Sequence, residues 1–182
     1  MTEEVMPQLV ALSLSIAVLG AIWAFIALGP GLGFLLVWAG FIAWGCFFHT
    51  GGDQKALVKT ICGNIYGVIV AWIALLIIVK GGFGAGLGGA PVGAAIVVGV
   101  TVFFLVIVAK IDQLSAVPAN VYGYASTVAY SVHESARAPL DNLTSASIDN
   151  PLIKLIISMV LGAILGYVSA QVANALAKKA TA

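Results

Sequence analysis

Charge is what this chain has least of. Among 182 residues there are eight Lys or Arg and seven Asp or Glu, 8% together, where a soluble domain carries about 25%. The eight basic groups are scattered and the net charge is only +1, which excludes a nucleic-acid interface. Cysteine is nearly absent as well. Cys46 and Cys62 match no metal-ligand spacing, so they read as two inert buried thiols or as one disulfide, and no metal site is expected. The chain has no HExxH, no GxSxG and no paired carboxylates inside an apolar segment, so no catalytic residue is expected. No cofactor is expected either. The glycine run between Gly81 and Gly89 lacks a following Lys-Ser/Thr and is not a phosphate cradle. Glu3 and Glu4 stand where a basic leader region would be, so no secretory signal peptide is expected.

What the chain has in excess is apolar surface. Apolar residues make up 62% of it, against roughly 45–50% in soluble domains, and a soluble fold of this length has no interior large enough to hide them. The whole chain, 1–182, reads as a single integral membrane domain with lipid as its main partner. Stretches such as GVIVAWIALLIIV, Gly67–Val79, run on without alternation, which indicates helices and not a barrel. Six such segments follow one another: Leu9–Leu28, Leu32–Phe48, Ala56–Val79, Val92–Ala109, Leu114–Tyr130 and Leu152–Ala175. The expected fold is all-α, with about six transmembrane helices arranged as three helical hairpins. Pro30, Pro91 and Pro151 stand just before the even-numbered segments, where proline suits the first helical turn.

Two short likenesses suggest an internal repeat. Gly20–Leu28 aligns without gaps on Gly67–Leu75, and Asn64-Ile65-Tyr66-Gly67 matches Asn120-Val121-Tyr122-Gly123. Repeats are common in transport proteins. Lys55, Lys59, Lys110, Lys178 and Lys179 fall on the N-terminal side of a six-span topology, against Lys80, Arg137 and Lys154 on the other. This bias puts both termini in the cytoplasm.

The fifth segment carries the most polar atoms. Asn120, Tyr124, Thr127, Ser131 and Glu134 recur on one helical face. Lipid cannot solvate such a stripe, so it either bonds neighbouring helices or lines a path for solute. Asn64 lies at a similar depth in the third segment, and two amides at one level suit a small neutral polar solute; the alternative is that they bond each other. In the sixth segment Ser158, Gly162, Gly166 and Ala170 form a ridge of small residues that packs within the chain or, facing outward, builds a homo-oligomer. Trp23, Trp38, Trp44 and Trp72 are expected in interfacial belts. His133, Glu134 and Arg137 read as a solvated group beyond the fifth helix, and His49 as an interfacial residue.

The run LGFLLVWAGF from Leu32 to Phe41, then Cys46-Phe47-Phe48 and Gly51-Gly52, then Val117-Pro118 and Leu161–Tyr167, resembles the YcdZ-like family of bacterial inner-membrane proteins. The resemblance implies a small multi-span protein of the bacterial cytoplasmic membrane. It implies no activity, so no functional residue carries over from it. The hairpin layout is also similar to that of urea and amide channels. Apart from segment-end residues, charge is absent from the apolar spans, and ion-coupled pathways need intramembrane ionisable groups. The function expected is a passive channel or facilitator for a small neutral polar solute such as urea, a short amide or ammonia. The alternatives are a secondary transporter and a structural or accessory membrane subunit.

Overall fold

The computed structural model describes residues 6–30, 32–83, 92–133 and 138–179. The described residues are helical with no strand. The helices are α1 (Gln8–Leu28), α2 (Val37–His49), α3 (Gln54–Lys80), α4 (Val92–Ile107), α5 (Val117–His133), the single turn α6 (Ala138–Asp141) and α7 (Pro151–Lys179). Glu134, Arg137, Pro91 and the glycines from Gly84 to Gly89 lie outside the described residues.

Four stretches, Gln8–Leu28, Gln54–Lys80, Val92–Lys110 and Pro151–Ala177, are long and apolar enough to cross a membrane. The other two long helices fall short of the expectation of six full spans. With 13 residues α2 reaches about 20 Å, and with 17 residues α5 reaches about 26 Å, against a hydrocarbon core of about 30 Å. The physical reason lies at their starts. Leu32–Leu36 is not helical, because other parts of the fold hold it: Leu36 N–H donates to Ser158 Oγ (2.9 Å) and the Val37 carbonyl accepts from Trp23 Nε1 (3.1 Å). Pro30 therefore stands well before α2 and not at its first turn. Ahead of α5, Asp112–Leu114 is a 3₁₀ turn.

Helix ends follow local chemistry. Gly51 and Gly52 take φ of 128° and 70°, a region closed to most side chains, and turn the chain directly into α3. Asp53 Oδ1 then caps α3 by accepting from Ala56 N–H (2.7 Å). Pro151 opens α7, as proline favours. Before it, Asn150 Oδ1 accepts from Leu152 N–H (2.9 Å), while Asn150 Nδ2 donates to Leu143 O (3.1 Å) and Ser145 O (2.8 Å). Asn150 is buried. Asn150→Ala is expected to destabilise the protein by about 1–3 kcal/mol, the cost of a lost cap and two orphaned carbonyls. Asn150→Asp keeps the cap acceptor and should recover part of the loss. Thermal unfolding of both variants in detergent checks this.

The closest packing is between helices distant in the chain. α3 packs chiefly on α5, and α2 and α1 on α7, while α1 meets α2 through the Trp23 ring, which lies against Gly40. Glycine decides where. A Cβ on Gly162 would fall on the Gly40 carbonyl oxygen, and one on Gly67 would fall on the Asn120 carbonyl oxygen. Such absences let two backbones meet, which is how helices associate where lipid offers no hydrophobic drive between them. The ridge in α7 is therefore turned inward. Ser158 and Ser169 are fully buried, and Trp44 Nε1 donates to Ser169 Oγ (3.1 Å). Ser15 of α1 donates to the Ser169 carbonyl (2.9 Å). Within the chain, this ridge is occupied by α2 and the residue before it, Leu36.

The outward faces are apolar. Phe25 is 81% exposed and Ile96 62% exposed, side chains that suit lipid and not water. The four tryptophans take different environments. Trp23 and Trp44 are buried inside the bundle, Trp38 is exposed, and Trp72 Nε1 donates to the Leu143 carbonyl (2.8 Å). Both cysteines are free thiols.

Candidate functional site

The two Asn-x-x-Gly segments meet. α3 and α5 run in the same direction and cross where Gly67 lies on the Asn120 carbonyl and Gly123 lies on the Asn64 carbonyl. Each glycine receives the other helix's asparagine, so the sequence match is the trace of one reciprocal contact. The expectation that Asn64 and Asn120 share a level holds. Because the backbones touch, both side chains are sealed in: Asn64 is 1% exposed and Asn120 is 0% exposed.

The amides then differ. Asn120 Nδ2 donates to the Leu105 and Leu114 carbonyls (3.1 Å each), which ties the end of α4 and the following turn to α5. Its Oδ1 has no partner; Gly63 is the residue facing it. Neither Oδ1 nor Nδ2 of Asn64 has a partner, so the two amides do not bond each other. One turn earlier on α3, Thr60 is fully buried and its Oγ1 has no partner. One turn later Val68 joins an apolar cluster with Ala43, Leu155, Met159 and Ala163.

The stripe on α5 divides in the same way. Tyr124 O–H donates to Thr101 Oγ1 (3.0 Å), which itself donates to Val97 O (2.9 Å). Thr127 Oγ1 donates to the Gly123 carbonyl of its own helix (2.9 Å). Both are satisfied by the protein. Ser131 is 2% exposed and its Oγ has no partner. Glu134 lies outside the described residues.

A buried amide or hydroxyl without a partner costs about 1–3 kcal/mol, so these atoms stand out from an otherwise satisfied interior. They are uncharged and offer both donors and acceptors. Among the described residues no group of three or more His, Cys, Asp or Glu is placed to hold a metal ion. Ion pairs lie toward both ends of the bundle: Lys59 with Asp112 (3.0 Å) at one, and Lys154 with Asp149 (3.2 Å) at the other; His49 Nδ1 meets Tyr122 Oη (3.0 Å).

A family model described as "Protein of unknown function (DUF1097)" matches residues 13–174. The chain belongs to the DUF1097 family. No curated protein and no solved structure matches it. The match in this DUF1097 chain takes in α3, α5 and every unpartnered atom named above. Thr60 is the residue that sequence reading missed. Its signal is present: it stands one helical turn before Asn64, on the same face.

Proposed function

We propose that the chain is a passive facilitator for a small neutral polar solute such as urea, a short amide or ammonia, in the inner membrane of a bacterium. The observation that carries this reading is the Asn64 amide, buried to 1% exposure with no hydrogen bond at either atom. A solute that bonds Asn64, with Thr60 and Asn120 Oδ1 beside it, would remove the cost of burying these groups unpaired. The buried polar residues are Ser, Thr and Asn, with no carboxylate among those described, which favours uncharged cargo over ion coupling. The YcdZ-like resemblance supports the bacterial inner membrane, and six alternating passages are the topology proposed. Flux of [14C]urea into liposomes carrying the purified chain tests the function. Flux no greater than that of empty liposomes overturns it for urea.

The proposed orientation has its own test. A cysteine at Ala146, near Trp72, should react with an impermeant thiol reagent from outside intact cells. One at Gln113, near Lys59, should react only after permeabilisation. Reaction in the opposite sense reverses the topology.

A further inference from the structure

The bundle is built twice from one three-helix plan. α1, α2 and α3 have 21, 13 and 27 residues; α4, α5 and α7 have 16, 17 and 29. In each half the third helix is the longest. The packing partners exchange in step: α1 and α2 pack on α7, while α4 and α5 pack on α3.

The correspondence extends to single residues. The buried positions of α2, Ala39, Gly40, Ala43, Trp44, Cys46 and Phe47, fall at one constant shift on Ala119, Asn120, Gly123, Tyr124, Ser126 and Thr127 of α5, all buried. Gly63, Asn64, Gly67, Val68, Ala71 and Ala74 of α3 fall at another on Ser158, Met159, Gly162, Ala163, Gly166 and Ser169 of α7, again all buried. These same shifts carry the Gly40–Gly162 contact onto the Asn120–Gly67 contact. They also bring Trp44 beside Gly166 onto Tyr124 beside Ala71.

Successive helices reverse direction, so a second copy that begins after three of them enters the membrane from the other side. The halves are therefore related by an approximate two-fold axis in the membrane plane. That axis lies at the seam of α3 and α7, where Val68 packs with its own counterpart Ala163.

The symmetry breaks at the unpartnered atoms. Thr60 and Asn64 are polar, and their counterparts Leu155 and Met159 are apolar. It breaks again at one end of the bundle. His49 bonds Tyr122 and Lys59 bonds Asp112, both links between halves, while the counterparts of His49 and Tyr122 are Ala129 and Ile42. His49 and Tyr122 thus tie α2 to α5 at one end, while their counterparts Ala129 and Ile42 can make no such bond at the other; in transporters built of inverted repeats, one repeat rocks against the other about a seam of this kind.

We propose that the two halves exchange arrangements as an alternating-access carrier, so that a small neutral solute held at Thr60 and Asn64 on the seam faces one side of the membrane at a time. The identity of the cargo rests on the facilitator reading; the exchange does not.

The test uses the full chain with Cys46→Ala and Cys62→Ala. One variant adds His49→Cys and Tyr122→Cys, the closed end. The other adds Ile42→Cys and Ala129→Cys, the end that closes when the halves exchange. With a copper-phenanthroline oxidant in membranes, both pairs should cross-link. The second should be roughly ten- to a thousand-fold slower, as expected of a state populated at about 0.1–10%. Cross-linking of the first pair alone, over a thousand times its own half-time, overturns the exchange. The unmutated chain supplies a second readout. Liposomes loaded with unlabelled urea should transiently accumulate [14C]urea above equilibrium. Urea flux without that counterflow overturns the exchange and leaves the facilitator standing. No urea flux with both pairs cross-linked overturns the facilitator for urea and leaves the exchange standing.

Discussion

Gly67→Ala should force α3 away from α5 and lower the melting temperature. The added methyl would fall on the Asn120 carbonyl and beside Tyr124 N. A crowded side chain can change rotamer, but a crowded backbone atom moves only if its helix moves. Overpacking costs about 1–3 kcal/mol where side chains can give, and the upper end of that range is the floor here. For a chain of this size about 3 kcal/mol lowers the melting temperature by roughly 6–12 °C. Gly123→Ala and Gly162→Ala should behave alike, because their methyls meet the Asn64 and Gly40 carbonyls. Gly99 has nothing within 4 Å of a built Cβ, so Gly99→Ala should leave stability unchanged or raise it by up to about 1 kcal/mol through helix propensity. Thermal unfolding in detergent, followed by size-exclusion profile, reads all four. A Gly67→Ala protein that melts with the unmutated chain would show that the two backbones do not touch.

Asn64→Leu should uncouple stability from transport. Asn64 makes no hydrogen bond, so leucine removes an unsatisfied amide and breaks nothing. The melting temperature should hold or rise. Flux of [14C]urea should fall by roughly tenfold for each solute hydrogen bond lost, at about 1.4 kcal/mol per tenfold. Asn120→Leu should do the reverse in part. It orphans the Leu105 and Leu114 carbonyls that Asn120 satisfies, at about 1–3 kcal/mol each, and the melting temperature should drop whatever happens to flux. Both quantities are measured on one preparation. Unaltered flux per folded molecule in Asn64→Leu would falsify the assignment of Asn64 as a solute contact.

Much of the site is legible in the amino-acid sequence. The polar stripe on α5 is a periodicity, and periodicity survives in sequence. The matched Asn-x-x-Gly segments point to one level in the bundle, and the reciprocal crossing of α3 and α5 explains the match. The division of the stripe is not legible. Tyr124 and Thr127 look no different in sequence from Ser131, yet Tyr124 reaches Thr101 and Thr127 its own helix, while Ser131 reaches nothing. Whether a buried hydroxyl is satisfied depends on what another helix places opposite it.

Composition and run length by themselves determined the class of the molecule: an apolar, helical chain whose long segments suit a bilayer. That follows because burial of apolar groups and satisfaction of backbone polar groups are properties of each segment alone. The tertiary structure decided which face of each segment meets protein. Leucine and valine serve equally well against lipid and against another helix, so hydrophobicity carries no sign of the seam, and close approach falls to single glycines. It thus turned the α7 ridge inward onto α2, started α2 at Val37 through a bond donated to Ser158 and one accepted from Trp23, and left the Asn64 side chain sealed without a partner. The pairing of halves was hidden for the same reason. Burial repeats from one half to the other, but in an apolar alphabet the residues that fill the pattern change freely while the packing stays.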